Sequence, residues 1–266
     1  MTSESRPKSE TVRQSFGESN IPGKVKVRFS NENDVDRVMS FYLSNPHPGY
    51  APREVTPERI KDGHAIIVED EGGQIWGASV SYTLNSEVNI PENGTHSWSE
   101  IGTTRIILNG CGLYPFMIAS QALMVHFEDA PNEFIYADIH TTNEGVIALL
   151  NGKLQWPEID PPDDLHDRVQ SMLADDKKGI PANYYKCGVQ QLPHQAQTVL
   201  DVIDNDGATH KSGQKILFDF SEFPLFSQYL ERLKELAALS GQEADVTQVP
   251  KSESVDVDPP EFIQDH

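Results

Sequence analysis

The grouping with the plainest chemical meaning is Asn109-Gly110-Cys111-Gly112-Leu113. It follows the strand-like stretch 98–108 and leads into a segment with Pro115 in its first turn and Phe116, Ser120, Leu123 and Phe127 on one helical face. Glycines let a backbone turn sharply and bring its N–H groups close to a ligand. A helix start adds unpaired N–H donors and the positive end of a dipole. Strand, Gly-x-Gly turn and helix start in that order suit a pyrophosphate, and also a plain tight turn. No Gly-Lys-Ser/Thr follows, which excludes a P-loop, and the third glycine of a dinucleotide fingerprint is missing. The nine histidines and two cysteines show no HExxH or paired-ligand spacing, so no metal site is expected.

Charge narrows the partners. The chain has 266 residues, 21 Lys+Arg against 41 Asp+Glu, and a net charge of −20. Residues 241–266 hold seven acids and one lysine, so the remainder still carries −14. Such acidity opposes binding to nucleic acid, which needs a basic face, and to anionic membrane; it favours cationic or neutral partners. Cys111 and Cys187 are too few for a disulfide scaffold, and a reduced, cytoplasmic protein is expected. The N-terminus lacks an apolar signal-peptide core, and no run of about 18 apolar residues occurs.

Periodicity supplies the elements that must position the glycine turn. Residues 25–29 alternate as a strand. Val35, Val38, Met39 and Tyr42 mark one helix face, with Asn33 as a cap. Thr56-Pro57-Glu58 starts a second helix. Residues 64–69 and 74–84 form a hairpin around Asp70–Gly73, 85–97 a loop, and 98–108 a strand. After the glycine turn and its helix come a strand at 134–140, a helix from Asn143, strands at 154–159 and 182–189, and between these two an acidic insertion, 161–179. Residues 1–23 and 241–266 read as disordered tails. Residues 24–192 form the main domain. Residues 193–240, with a polar stretch, a strand at 215–220 and a helix bearing Phe226, Tyr229, Leu230 and Leu233, form an extension packed on it.

That order of elements resembles the GNAT superfamily of acyl-CoA-dependent N-acyltransferases. Two stretches carry the likeness. Glu100 to Gly112 (EIGTTRIILNGCG) looks like the fourth strand and the Q/R-x-x-G-x-G/A phosphate loop. Tyr136 to Asn143 (YADIHTTN), followed by Val146, Leu149, Leu150, Leu154 and Trp156, looks like the next strand and the N-x-x-A-x-x-L-Y-x-K-x-G-F helix. The likeness spans about residues 25–190. It implies an α/β (α+β) fold with a mixed central sheet of six to seven strands. The strand ending at Leu108 should run parallel to the one ending near His140. It also implies acetyl-CoA or another acyl-CoA as co-substrate, held by Ile107, Leu108, Asn109, Gly110, Cys111, Gly112, Leu113 and Asn143. The acceptor would be a small-molecule or peptide amine, cationic in view of the acidic cleft residues, and a homodimer is compatible with it.

In such enzymes a neutral amine attacks the thioester, which requires a base because alkylamines are protonated at neutral pH. Glu100, on the strand leading into the loop, is the first candidate, His140 the second. Tyr185, or its neighbour Tyr184, is the candidate acid; only one of the two can face the cleft. Cys111, inside the phosphate loop, is not a nucleophile on this reading. The run 160–167 reads as a solvated loop, although with Glu87 and Glu92 it can draw a cationic acceptor. Two departures stand out. The Q/R position holds Ile107, and the tyrosine that protonates the leaving thiolate is Leu150. An acyltransferase and a non-catalytic acyl-CoA-binding module both remain open.

Overall fold

Val25 and Val27 alternate with lysines in β1 (Lys24–Phe29) and are fully buried, as the period-two pattern predicts. β2 (Ala65–Asp70) is buried almost throughout and so reads as an apolar run rather than an alternation. A tight turn, closed by Gly73 N–H to Asp70 O at 2.9 Å, joins β2 to β3 (Ile75–Ile90). The computed structural model describes residues 21–46, 52–90, 94–128, 134–141, 143–172 and 181–239. Nearly all of both expected tails therefore lies outside the described residues.

β3 and β4 (Gly94–Ile106) make one long hairpin. The loop expected over 85–97 is instead its two arms, with Glu87 paired to Ser97 and Asn89 to Thr95. Polar side chains made this stretch read as a loop, but a ladder satisfies backbone groups whatever the side chains are. Near its other end, β4 has one residue more than β3 between the pairs Val80–Gly102 and Ala78–Arg105. This bulge puts Thr103 at φ 43°. It is braced by Tyr42 Oη donating to Thr103 O at 2.7 Å and by Tyr82 Oη with Thr103 Oγ1 at 2.7 Å.

α1 (Val35–Ser44) and α2 (Thr56–Lys61) cover one face of the sheet, packing Val38, Phe41, Tyr42 and Ile60 on Val80 and Tyr82. The cap before α1 is Asn31, not Asn33: its side chain accepts from Asn33 N–H and opens a short 3₁₀ turn. α3 (Leu113–Glu128) lies on the opposite face. Phe116 through Val125 are all buried, so it is a core helix rather than a one-faced surface helix.

β5 (Phe134–His140) runs parallel to β4, as the topology argument requires. α4 (Glu144–Ala148) continues into a π-helical turn at Leu149–Lys153. The strand expected over 154–159 shrinks to β6 (Glu158–Ile159), because Leu154 closes the π turn and Gln155 adopts φ 56°. The acidic insertion forms α5 (Asp163–Met172), and β7 (Ala182–Cys187) pairs with both β5 and β6.

The C-terminal part extends the same sheet. Beyond a helix, α6 (Leu192–Asp204), come β8 (Gly207–Thr209) and β9 (Lys215–Asp219), and β9 pairs parallel with β1. The sheet thus has nine strands in the order β6-β7-β5-β4-β3-β2-β1-β9-β8. Seven lie between residues 24 and 187, as expected; β8 and β9 raise the total. α6 and α7 (Pro224–Leu239) pack together, and α6 also packs on α3. No described helix is long and apolar enough to cross a membrane.

Candidate functional site

β4 and β5 pair only at Trp98–Phe134, Ser99–Ile135 and Glu100–Tyr136. Beyond Glu100 the two parallel strands separate. Residues 101–106 and 137–140 then face each other across a gap that no β4–β5 ladder pair bridges. A cavity of about 320 Å³ occupies the opening. Its charged lining groups are Glu100, Asp138 and Arg105. Tyr42, Asn45 and Pro52 close one side; Ile118 of α3, with Val146 and Leu150, closes the other; Asn109, Tyr114 and Asn143 line it as well.

Glu100 sits where the strands part. It is 1% exposed, and the Oη of its register partner Tyr136 donates to its Oε2 at 3.0 Å. Arg53, from the segment before α2, donates from Nη2 to Oε1 at 2.6 Å. Its Nη1 lies 2.5 Å from Oε2 but is not aligned as a hydrogen bond, so the pair is charge-paired at two atoms and hydrogen-bonded at one. Burial pushes the Glu100 carboxyl up to about 7; Arg53 opposes this and the Asp138 charge adds to it. For Arg53 burial works the other way, yet the surrounding negative charges hold its guanidinium firmly protonated.

The alternation of β5 places Tyr136, Asp138 and His140 on one face and Ala137 and Ile139 on the other. Asp138 lines the cavity with 6% exposure. His140 lies at the strand end, half-buried, and is not a lining residue. Tyr185 pairs with Ala137 and Tyr184 with Asp138. Tyr185 therefore points away from Glu100 and donates to Glu158 Oε2 at 3.2 Å. Tyr184 shares the face of Asp138, stacks on Tyr136 and bonds His166 Nδ1 at 3.1 Å. Register thus makes Tyr184, rather than Tyr185, the tyrosine on the carboxylate side. Leu150, at the position where the resemblance places a tyrosine, is a buried apolar wall of the cavity.

The glycine turn lies at the end of β4. Trp76 O accepts from Ile107 N–H at 2.9 Å and so ties the turn to β3. Gly110 and Gly112 have φ of 83° and 74°, which L-side chains rarely adopt. The first helical bond of α3 runs from Phe116 N–H to Gly112 O, so the N–H groups of Leu113 and Tyr114 have no helical acceptor. Cys111 Sγ donates to Leu108 O at 3.4 Å and burial raises its pKa, which makes it a staple of the turn rather than a nucleophile. Asn143 leads into α4 with its N–H on His140 O at 2.8 Å.

One contributor comes from the far end of the chain. Lys211, in the turn between β8 and β9, donates its N–H to Gly110 O at 2.9 Å. Its methylenes cover Gly110 so closely that a Cβ there would lie 3.0 Å from Lys211 Cδ. Its ammonium has no ion-pair partner among the described residues.

Sequence reasoning missed Arg53, Asp138, Arg105 and Lys211. A lone acid in the apolar strand 134–140 is a signal for Asp138. Arg53 and Lys211 lie in connections without periodicity, where nothing local points to the cleft. Among the described residues no cluster of metal-ligating side chains occurs. The side chains of Glu87 and Glu92 lie outside the described part.

Fold and cleft define an α/β protein whose mixed sheet has two parallel strands, β4 and β5, that splay over a pocket ending at a glycine turn. No protein-family model and no curated protein matches the chain. Among solved structures it is similar to NAA60 of Arabidopsis thaliana in complex with acetyl-CoA, with 11% identity, 62% of this chain and 99% of that chain covered, and a TM-score of 0.46. It is also similar to the polyamine N-acetyltransferase of Drosophila melanogaster (13%, 62% and 99%, TM-score 0.41). A third is a GNAT-family acetyltransferase from Streptococcus pneumoniae (11%, 62% and 99%, TM-score 0.43). The functional reading rests on the strand order and the cleft, not on these likenesses.

Proposed function

We propose that this chain is an acyl-CoA-dependent N-acyltransferase acting on an amine. The observation that carries the reading is the opening between β4 and β5, which stop pairing with each other beyond Glu100, with a glycine turn at its end. The turn fits a pyrophosphate: two glycines at positive φ, N–H groups without a helical acceptor at the start of α3, and the Lys211 ammonium nearby. The stretch where β4 and β5 no longer pair with each other suits the two amides of a pantetheine arm. Acyl-CoA supplies an activated thioester; the chain holds it, excludes water and takes a proton from the acceptor.

Glu100 is the candidate group for that proton, because it lines the cavity and burial lifts its carboxyl to about 7. Asp138 adds a second carboxylate on the same side, which suits an acceptor bearing an ammonium. Calorimetry with acetyl-CoA and CoA tests the reading: micromolar binding supports it, and none at millimolar ligand refutes it. Free-thiol release on adding a panel of primary amines then tests turnover.

A second reading, an acyl-CoA-binding module without turnover, is favoured by two features. Glu100 is engaged by Arg53 and Tyr136, and Leu150 leaves the cavity without the expected acid. Tight CoA binding with no thiol release across the amine panel would select it.

A further inference from the structure

The described arginines differ in one respect. Arg28 and Arg37 share Asp34 and Glu69, and Arg53 pairs with Glu100. Arg59 donates to Ser81 O, and Arg232 lies over the Phe127 ring at 4.3 Å. Arg105 has only its Nε committed, donating to Asn45 O at 2.5 Å. Its two Nη groups have no partner among the described residues, and it lines the cleft. A half-buried guanidinium with a free fork, fixed at its base by one hydrogen bond, is set up to take a carboxylate through two parallel bonds.

Its placement says which ligand carries that carboxylate. Arg105 pairs with Ala78, and Glu100 with Tyr82. Ala78, Val80 and Tyr82 all pack into the cluster under α1 and α2. Arg105 and Glu100 therefore share the α1–α2 face of β4, despite the bulge between them. They stand five residues apart, about 15 Å along the strand. The chamber is thus bipolar, with Glu100 and Asp138 at one end and a free guanidinium at the other.

Resting on the acyltransferase reading, we propose that Arg105 binds a carboxylate of the acceptor, so that the acceptor is an amine that also carries a carboxylate, a diamino acid or short peptide rather than a simple polyamine. The ammonium addresses the Glu100–Asp138 end and the carboxylate the Arg105 fork.

The test uses amine pairs that differ only by the carboxylate: lysine against cadaverine, ornithine against putrescine, and Gly-Lys against its decarboxylated analogue. Each is assayed for thiol release with acetyl-CoA and for thermal stabilisation in the presence of CoA. The full-length protein should prefer the carboxylated member of at least one pair by tenfold or more in kcat/KM or in half-saturation. Arg105→Gln should erase that preference through KM, the carboxylated member losing far more than the decarboxylated one; Arg105→Lys should recover part of it. If CoA binds but no pair shows the preference, or the preference survives in Arg105→Gln, the inference is overturned and the acyl-CoA reading stands. A preference for succinyl-CoA over acetyl-CoA that depends on Arg105 would also overturn it, by moving the carboxylate to the acyl group. Failure of CoA to bind at all overturns both.

Discussion

Arg53 Nη2 lies 2.6 Å from Glu100 Oε1 at the point where β4 and β5 part, and the side chains are 9% and 1% exposed. Folding takes both groups almost wholly out of bulk water, so the state of Glu100 is linked to folding. Its carboxyl titrates near 4.5 ordinarily and near 7 here, chiefly through burial. Between those values the unfolded chain has lost the proton and the folded chain keeps it. The contribution to stability is complete below pH 4.5 and falls as pH rises through 7, by roughly 3 kcal/mol. Urea unfolding of the protein and of Glu100→Gln from pH 4.5 to 8 should therefore give two curves that converge or cross. Parallel curves would remove the linkage.

Arg53→Met should destabilise more than any exposed substitution, because it strands a buried carboxylate. The loss expected is about 3–5 kcal/mol at pH 8. It should shrink at pH 5.5, where Glu100 is protonated, and Arg53→Met combined with Glu100→Gln should recover most of it. A double variant no more stable than Arg53→Met at pH 8 would mean that the arginine's packing on Tyr82, 4.8 Å from its ring centre, matters more than its charge.

The glycine turn and its neighbours were legible because each rests on local pattern: a strand, two glycines and a run of apolar helix residues. The splay of β4 from β5 was not, since it is set by where a ladder stops. α6 shows the opposite failure. Leu192, Ala196, Val199, Leu200 and Ile203 fall on one face, and Pro193 stands in its first turn, so the helical signal was present where a polar stretch was expected. Arg53 became part of the site only through contacts between residues 47 positions apart, which no periodicity encodes.

Substitutions at the turn should separate CoA binding from folding. A Cβ on Gly112 meets nothing within 4 Å, so Gly112→Ala leaves the packing intact. Its φ of 74° still costs about 1 kcal/mol in strain, and a branched side chain there blocks approach to the N–H groups. Gly112→Val should weaken CoA at least tenfold by calorimetry with a modest drop in Tm. Lys211→Glu should weaken CoA by a similar factor, increasingly at low salt, since it reverses the one charge packed over Gly110. Unchanged affinity in both would place the pyrophosphate elsewhere.

The two adjacent tyrosines of β7 give a test of which face of the sheet matters. Tyr184 shares the face of Asp138, while Tyr185 is turned into the opposite core with its hydroxyl on Glu158. Tyr185→Phe removes the hydroxyl's bonds to Glu158 and Asn183 and should cost about 1–2 kcal/mol of stability without changing turnover. Tyr184→Phe should change kcat or its pH profile. Equal effects of both on kcat would mean that neither hydroxyl acts at the cleft.

The last prediction concerns the base. If amines are acylated, Glu100→Gln keeps the shape of the cleft wall and removes a carboxyl whose affinity for a proton is matched to neutral pH. A positioned general base contributes about 10²–10⁴ in rate, so kcat should fall on that order while CoA affinity holds. The native protein should show a rise in kcat/KM through pH 7 as Glu100 loses its proton. Glu100→Gln should lose that limb, leaving only the rise at higher pH as the amine deprotonates in solution. Asp138→Asn should act differently: it removes a negative charge that raises Glu100, so the limb should move to lower pH while persisting. Should Glu100→Gln keep both rate and limb, and Asp138→Asn lose them, the proton goes to Asp138. Glu100 would then be a positioning residue, held by Arg53 and Tyr136 to fix where the two strands separate.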